Sequence, residues 1–124
     1  MSNYCVLFPG QGSQNSGMLD SYCSNNVFNE TIAEASDILG YDLSETIKNE
    51  DKLNNTLYTQ PIMVAVSTAI WRVWQQKADK LPSFAAGHSL GEYTALISSG
   101  IISFVDCLKL VKIRARAMSE AMNG

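Results

Sequence analysis

A Gly-x-Ser-x-Gly pattern at residues 87–91 constrains the fold of this chain more than any other stretch. A short apolar run at residues 84–86 precedes it, and residues 93–97 can continue from it as a helix. Strand, sharp turn and helix are the setting of a nucleophile elbow, whose tight turn requires small flanking residues. Ser89 would then lie exposed at the tip, where the free N–H groups at the helix start stabilise a developing negative oxygen.

The same five residues also fit a simpler interpretation, a glycine-rich turn whose serine caps a helix. Short motifs of this kind arise by chance, so the pentapeptide alone favours neither interpretation. The choice between them therefore depends on the rest of the chain.

Composition and charge limit the class of protein. The chain has 124 residues, enough for one domain with a core, and 46% of them are hydrophobic. The formal net charge of −3 argues against a nucleic-acid-binding protein. No signal peptide is recognisable, and no apolar stretch approaches the ~20 residues of a membrane span. Three cysteines without a Cys-x-x-Cys pair indicate free thiols. We therefore expect a cytoplasmic protein that contacts neither nucleic acid nor membrane.

Hydrophobic periodicity predicts an α/β fold. Two short apolar runs, at residues 4–8 and 84–86, are typical of parallel strands that are buried on both faces. Helices are expected at residues 27–39, 43–47 and 61–78, after the elbow up to about residue 99, and from 104 to about 122. The first half of helix 61–78 is apolar all round and should be buried, whereas residues 48–55 are polar and should be exposed.

Capping residues define the ends of these helices. Gly40 is expected to stop the first helix, because glycine adopts the left-handed conformation that ends a helix. The expected N-caps are Asn25 or Asn26, Asp42, Thr59 and, in a Ser-x-x-Asp capping box, Ser103.

The loop at residues 9–14 has the sequence Pro-Gly-Gln-Gly-Ser-Gln and follows the first strand. It fits an ordinary surface turn. It also fits a backbone platform beside an active site, because loops at the carboxyl ends of parallel strands build ligand sites. Its glycine spacing does not match Gly-x-Gly-x-x-Gly, which excludes the dinucleotide-binding fingerprint.

Arg114 is a cation on an apolar stripe of the last predicted helix. That stripe comprises Cys107, Leu110, Val111, Ala117 and Met118. An unpaired charge in such a position costs several kcal/mol. Arg114 therefore forms an internal salt bridge, extends its guanidinium to solvent, or receives a substrate carboxylate, which arginine binds bidentately. Periodicity alone leaves these three interpretations open.

Three blocks of residues stand at definite distances from one another: Leu-Phe-Pro-Gly-Gln-Gly-Ser-Gln at 7–14, Thr-Gln-Pro at 59–61 and Gly-His-Ser-Leu-Gly-Glu-Tyr at 87–93. Together with Arg114 they resemble the malonyl-CoA:acyl carrier protein transacylases of bacterial fatty-acid synthesis. The related acyltransferase domains of polyketide synthases share much of the pattern. The resemblance extends from residue 4 to about residue 120. It implies an α/β-hydrolase-like large subdomain with parallel strands and a nucleophile elbow.

The resemblance implies a role for each matching residue. Ser89 is the nucleophile that takes the acyl group from coenzyme A as an ester, and the backbone N–H groups of Gln11 and Leu90 form the oxyanion hole. Arg114 pairs with the free carboxylate of malonate, and Gln60 lines the pocket near the nucleophile. The implied reaction moves malonyl from malonyl-CoA to the phosphopantetheine thiol of acyl carrier protein, with no metal and no further cofactor.

The chain departs from the family in two respects. The family's general base is a histidine far downstream, whereas the single histidine here, His88, directly precedes the nucleophile. We expect His88 to pack beneath the elbow as a structural residue. The family's small ferredoxin-like subdomain has no counterpart either. The resemblance therefore implies that residues 1–124 are the N-terminal part of the large subdomain. The missing C-terminal part of the same enzyme is then a partner, without which strand edges and an apolar patch are exposed.

Three functions follow as alternatives. The first is malonyl transfer by a ping-pong route through acyl-Ser89. The second is a serine acyl hydrolase of the same fold, which releases the acyl group to water. The third is a fragment that is inactive alone, because no imidazole is expected within hydrogen-bond reach of Ser89. An inward-facing Arg114 favours the transferase, since a simple esterase has no need of it.

Overall fold

The structure is a computed structural model that describes residues 3–123 and the side chains of residues 3–122. In these residues, two short parallel strands are surrounded by helices. A single 3-10 turn, Asp20–Tyr22, precedes the first helix. The elements in chain order are β1 (Cys5–Phe8), α1 (Asn26–Leu39), α2 (Leu43–Ile47), α3 (Glu50–Leu53), α4 (Thr56–Lys77), β2 (Phe84–Gly87), α5 (Gly91–Ser98) and α6 (Phe104–Asn123).

The strands β1 and β2 pair in parallel, from Cys5 opposite Phe84 to Phe8 opposite Gly87. Parallel strands need a long crossover connection, and here α1 to α4 supply it. The predicted α/β class and both predicted strands are therefore confirmed. Within residues 3–123 these two strands are the whole sheet, and no ferredoxin-like subdomain is present.

The two faces of this small sheet differ in burial. Phe8 points into the core, whereas Leu7 and Phe84 are 74% and 73% exposed. The prediction that both strands are buried on both faces is therefore wrong, because only one face has helices against it. The accompanying expectation of an exposed apolar patch is confirmed by the same side chains.

Side-chain caps fix the ends of α1 and α2 where the sequence predicts them. The Asn25 side chain accepts a hydrogen bond from the Phe28 N–H, and that of Asp42 accepts one from the Glu45 N–H. Gly40 ends α1 with a φ of 83°, which glycine adopts without strain. Local sequence is sufficient here, because each cap bonds a residue only three positions away.

The segment before α4 differs from the prediction. Residues 48–55 are not a uniformly exposed polar stretch, because they contain α3, capped by Asn49, and bury Leu53. The helix α4 begins at Thr56, and its cap is Asn55, which accepts from the Leu57 N–H. Asn49 and Asn55 are caps that start helices, and Asn54 ends α3.

Pro61 and Thr59 consequently lie inside α4, and the prediction that Thr59 caps the helix is wrong. Pro61 falls in the second turn, where its missing N–H removes one intrahelical hydrogen bond. Thr59 is fully buried and donates its hydroxyl to the carbonyl groups of Leu53 and Asn55. The predicted burial of the first half of the helix is confirmed, since every residue from 59 to 69 is buried.

The buried stripe of α6 is rotated from the predicted one. It comprises Phe104, Cys107, Leu108, Val111 and Ala115. Leu110, Ala117 and Met118, which were expected on this stripe, are exposed, because α6 packs against α4 and α1 along a narrower face. The predicted cap is confirmed, since the Ser103 hydroxyl accepts from the Asp106 N–H at 3.1 Å.

No helix in the described part of the chain combines the length and the apolar character that crossing a membrane requires.

Candidate active site

The turn between β2 and α5 has the geometry of a nucleophile elbow. Ser89 stands at its tip with a φ of 53°, and among the described residues it is the one non-glycine with a positive φ. Such a conformation is strained for a serine and persists only where the surroundings enforce it. The helix starts at once after it, with the Glu92 N–H donating to the Ser89 carbonyl at 3.0 Å.

The two glycines of the motif are required by close backbone contacts. A Cβ on Gly87 would lie 2.0 Å from the carbonyl carbon of Gly91, and one on Gly91 would lie 2.2 Å from the Phe8 carbonyl oxygen. Real Cβ atoms do not approach backbone so closely, so no other residue fits at either position. This packing holds the elbow directly against the end of β1.

The loop that follows β1 lies beside the elbow, as the platform interpretation predicts. Gly10 is buried, and a Cβ there would lie 2.6 Å from the His88 carbonyl oxygen. Gln11 comes next, and its side-chain Oε1 accepts a hydrogen bond from the Thr56 hydroxyl at 3.1 Å. The loop is thus tied both to the elbow and to the first turn of α4.

Arg114 turns its guanidinium towards the serine. Its Nη2 lies 3.4 Å from Ser89 Oγ, and its Nη1 donates to Gln60 Oε1 at 2.6 Å. The guanidinium carbon also lies 5.5 Å from the centroid of the Tyr93 ring. The side chain is half-buried, and among residues 3–122 it has no carboxylate partner. The interpretation as an internal salt bridge therefore does not apply.

Gln60 is fully buried beside this arginine. Its Nε2 donates to Thr56 Oγ1 at 2.9 Å and approaches the Met118 sulfur at 3.3 Å. The structure therefore brings Ser89, Arg114 and Gln60 together, although they come from three different segments. Thr56 and Met118 join this cluster; sequence reasoning assigned no role to Thr56 and placed Met118 on the apolar stripe of the last helix. The signal for Thr56 is its i, i+4 spacing to Gln60, which appears only once α4 is known to begin at Thr56.

The two backbone groups expected in the oxyanion hole are unpaired. Among the described residues, neither the Gln11 N–H nor the Leu90 N–H donates to a protein acceptor. Leu90 is the residue before the first turn of α5, so its N–H is one of the free donors of a helix start. Both N–H groups are therefore free to donate to another acceptor.

His88 does not pack beneath the elbow, so that prediction is wrong. Its side chain is exposed, and the ring Nδ1 lies above Gly10, 3.4 Å from where a Cβ of that residue would be. On the packed side of the elbow, Gly91 lies close against the Phe8 carbonyl. In the described part of the chain, Ser89 Oγ accepts from Arg114 Nη2 and has no hydrogen bond to an imidazole.

A cavity of about 360 Å³ opens next to this cluster. It is lined by Gln11, Asn54, Asn55, Thr56, Met118, Ser119 and Met122. A larger cavity of about 650 Å³ lies at the turn between α1 and α2, and none of the clustered side chains lines it. The smaller cavity is the better candidate for a binding site, because Thr56 and Met118, which line it, belong to the cluster around Gln60, Arg114 and Ser89.

Comparison with known proteins agrees with this geometry. The family model of the acyl transferase domain matches residues 5–124. The malonyl CoA-acyl carrier protein transacylase of Escherichia coli K12 is 47% identical over 98% of this chain and 40% of its own length. The chain thus spans about 40% of the length of the curated relatives it matches.

Two solved structures are similar throughout the chain. The acyl-carrier-protein S-malonyltransferase of Burkholderia pseudomallei 1710b has a TM-score of 0.90 and 49% identity, covering 94% of this chain and 39% of that one. A malonyl-transacylase solved with a type II polyketide synthase acyl carrier protein has a TM-score of 0.91 and 51% identity, covering 97% of this chain and 40% of that one. The elbow, the family match and these structures together lead to one conclusion: the chain belongs to the acyl transferase domain family.

Proposed function

We propose that this chain is the N-terminal part of the large subdomain of a malonyl-CoA:acyl carrier protein transacylase of fatty-acid synthesis. The observation that carries the proposal is the half-buried guanidinium of Arg114, 3.4 Å from Ser89 Oγ and without a carboxylate partner among residues 3–122. A cation held beside a nucleophile is suited to an acyl group that itself ends in a carboxylate. The relatives named as malonyl transacylases support the same substrate.

The proposed first step is attack of Ser89 Oγ on the thioester carbonyl of malonyl-CoA. A bond forms between Oγ and the carbonyl carbon, the carbon–sulfur bond breaks, and coenzyme A leaves as the thiol. In the second step the phosphopantetheine thiol of acyl carrier protein attacks the malonyl ester and regenerates the serine. Two thioesters of similar energy are exchanged, so the reaction needs positioning and charge stabilisation more than a chemical driving force.

The negative oxygen of each tetrahedral intermediate needs donors on one side of the serine. The unpaired N–H groups of Gln11 and Leu90 are the proposed donors, one from the loop after β1 and one from the start of α5. The proton of the serine hydroxyl needs a base, and His88 is unsuited because it precedes the serine and points to solvent. The proposed base is a histidine in the C-terminal part of the enzyme.

Arg114 selects the acyl group in this proposal. Gln60 occupies Nη1 and fixes the plane of the guanidinium, so that the remaining donors face the serine side. A malonyl carboxylate would accept hydrogen bonds from those donors, whereas an acetyl group has no atom that does so. A hydrolase without acyl selectivity does not require this arrangement, which makes the transferase the better supported function.

The proposed partners follow from the same reaction. Acyl carrier protein is the acceptor, in agreement with the similar malonyl-transacylase that was solved with its carrier protein. Because that carrier protein belongs to a polyketide synthase, delivery to a polyketide carrier is the second candidate function. The C-terminal part of the enzyme would cover the exposed face of Leu7 and Phe84. We also propose a cytoplasmic location, supported by three free cysteines of which Cys5 and Cys23 are exposed.

The test uses residues 1–124 joined to the remaining part of the Escherichia coli relative, here called the joined enzyme. With malonyl-CoA, it should transfer malonyl to holo acyl carrier protein much faster than it releases malonate to water. Ser89→Ala should abolish transfer, whereas Ser99→Ala, which changes an exposed serine at the end of α5, should leave it unchanged. Release of malonate at the same rate with and without carrier protein would contradict the transferase and support the hydrolase.

A further inference from the structure

We infer that Thr56 is a positioning residue whose hydroxyl couples Arg114 to the loop that carries Gln11. The inference rests on the proposed function and deepens it, because it links selection of the malonyl carboxylate to the oxyanion hole. Thr56 is the first residue of α4 and contacts neither Ser89 nor the guanidinium directly. It acts through Gln60 on one side and Gln11 on the other.

The hydrogen bonds between Arg114, Gln60 and Thr56 have only one consistent direction. An arginine has donors and no acceptor, so the Gln60 atom that faces Arg114 is the acceptor Oε1. The Gln60 Nε2 must then donate, and it does so to Thr56 Oγ1 at 2.9 Å. The Thr56 hydroxyl proton is thereby left to donate to Gln11 Oε1, at 3.1 Å. The charge of Arg114 therefore fixes the orientation of the Gln60 amide and makes Thr56 its acceptor, and the Thr56 hydroxyl extends the network to the Gln11 loop.

The hydroxyl of Thr56 is the strong acceptor available to the Gln60 amide. The other neighbour of Nε2 is the sulfur of Met118, which accepts only weakly. Gln60 is fully buried, so an amide N–H that loses its acceptor finds no water in its place. Without the Thr56 hydroxyl, the buried Nε2 has no strong acceptor, and the Gln60 side chain should shift together with the guanidinium that it holds. The plane of the guanidinium would then lose its support.

The other end of the network reaches the oxyanion hole. Gln11 and Thr56 are 45 residues apart in sequence, and their side-chain hydrogen bond ties the loop after β1 to the first turn of α4. The N–H proposed for the oxyanion hole belongs to the same residue, Gln11. Loss of the Thr56 hydroxyl should therefore displace a donor of the intermediate and the receptor of the carboxylate together.

The test compares Thr56→Val with Thr56→Ser in the joined enzyme, using malonyl-CoA and acetyl-CoA as donors. Valine keeps the shape of threonine and removes the hydroxyl, whereas serine keeps the hydroxyl. Rates are divided by the amount of Ser89 that malonyl-CoA acylates in a single burst. A smaller amount of folded enzyme then does not lower the measured rate constant. Thr46→Val is the matched control, because Thr46 lies in the separate helix α2 and, among the described residues, its hydroxyl donates to the Asp42 carbonyl alone.

Thr56→Val should lower kcat/KM for malonyl-CoA by about 10- to 100-fold, the range expected when reacting groups are misplaced by about 1 Å. The KM for malonyl-CoA should rise. For acetyl-CoA the main effect should be a lower kcat, because acetyl transfer depends on the oxyanion hole and not on the receptor of the carboxylate. Thr56→Ser should recover most of the lost activity. Equal losses for both donors, a Thr56→Ser variant as impaired as Thr56→Val, or a Thr56→Val variant that matches Thr46→Val would each overturn the inference.

The unsubstituted joined enzyme separates this inference from the proposed function. If malonyl-CoA does not acylate its Ser89, the proposed function is wrong and the role of Thr56 in that reaction is overturned with it. If Ser89 is acylated normally and Thr56→Val has no selective effect, the proposed function stands and only the coupling is wrong.

Discussion

Removal of the Arg114 side chain is the change that most sharply separates a malonyl transferase from a general acyltransferase. Truncating one partner of a desolvated, hydrogen-bonded charge pair costs about 2–5 kcal/mol. Arg114 is half-buried and keeps one of its nitrogens on Gln60, so the lower part of that range applies, about 3 kcal/mol. Since about 1.4 kcal/mol is a factor of ten, Arg114→Ala should lower kcat/KM for malonyl-CoA by about 150-fold.

The assay measures initial rates of transfer by the joined enzyme to acyl carrier protein from malonyl-CoA and from acetyl-CoA. Acetyl transfer should fall by less than about tenfold, because the acetyl group makes no ion pair and loses only the packing of the side chain. Arg116→Ala is the control, since Arg116 is exposed on the same helix. Equal losses for the two donors would show that Arg114 supports the structure and does not receive the carboxylate, which would refute the reasoning.

Three further predictions concern packing at the elbow and the buried thiol of α6. Gly91→Ala should destabilise the fold by about 3 kcal/mol or more, because the new Cβ would lie 2.2 Å from the Phe8 carbonyl oxygen; an unchanged thermal unfolding midpoint would contradict this contact. Burial raises the pKa of the Cys107 thiol to about 11, so at pH 8 iodoacetamide should alkylate the exposed Cys23 much faster than Cys107 in the folded protein. The pKa of Cys107 is higher in the folded protein than in the unfolded chain, so between about pH 9 and 11 the thiol ionises only in the unfolded chain. The free energy of unfolding should therefore fall as the pH rises through this range. Cys107→Ala should remove that part of the pH dependence.

The elements that sequence predicts correctly are those determined by neighbouring residues. The elbow at residues 87–91 is predictable because its tight turn requires glycine at positions 87 and 91. The ends of α1 are predictable from the capping residues Asn25 and Gly40. The contact of Gly87 with Gly91 and the cap contacts of Asn25 and Gly40 each join residues a few positions apart in the chain. The α/β order of elements is predictable for the same reason, since each strand and helix has its own apolar pattern.

The start of α4 was predicted wrongly because two capping signals compete in one stretch. The Thr-Gln-Pro sequence at 59–61 is typical of a helix start, but the residue that caps the helix is Asn55. The Thr59 hydroxyl donates instead to the carbonyl groups of Leu53 and Asn55. A proline within the second turn costs one hydrogen bond, which the burial of the whole segment offsets. This error also concealed Thr56, whose relation to Gln60 exists only in the longer helix.

The remaining errors arise from contacts that no local pattern contains. Leu110 satisfies the helical period of α6 but is 43% exposed, because the positions of α1 and α4 decide which face is covered. His88 lies outside the packed elbow, since Gly91 meets the Phe8 carbonyl there. For the candidate site, Ser89, Gln60 and Arg114 were predicted to converge and do so, but the direct bond between Gln60 and Arg114 was not foreseen.

The most direct test of the account is the position of the acyl group after the joined enzyme is mixed with malonyl-CoA in the absence of acyl carrier protein. Peptide mapping by mass spectrometry should find malonyl on Ser89, and subsequent addition of holo acyl carrier protein should remove it and malonylate the carrier. The Ser89→Ala variant should carry no malonyl on this peptide. A malonyl group on any other residue, or a malonyl-Ser89 that water removes as fast as carrier protein does, would contradict the central claim.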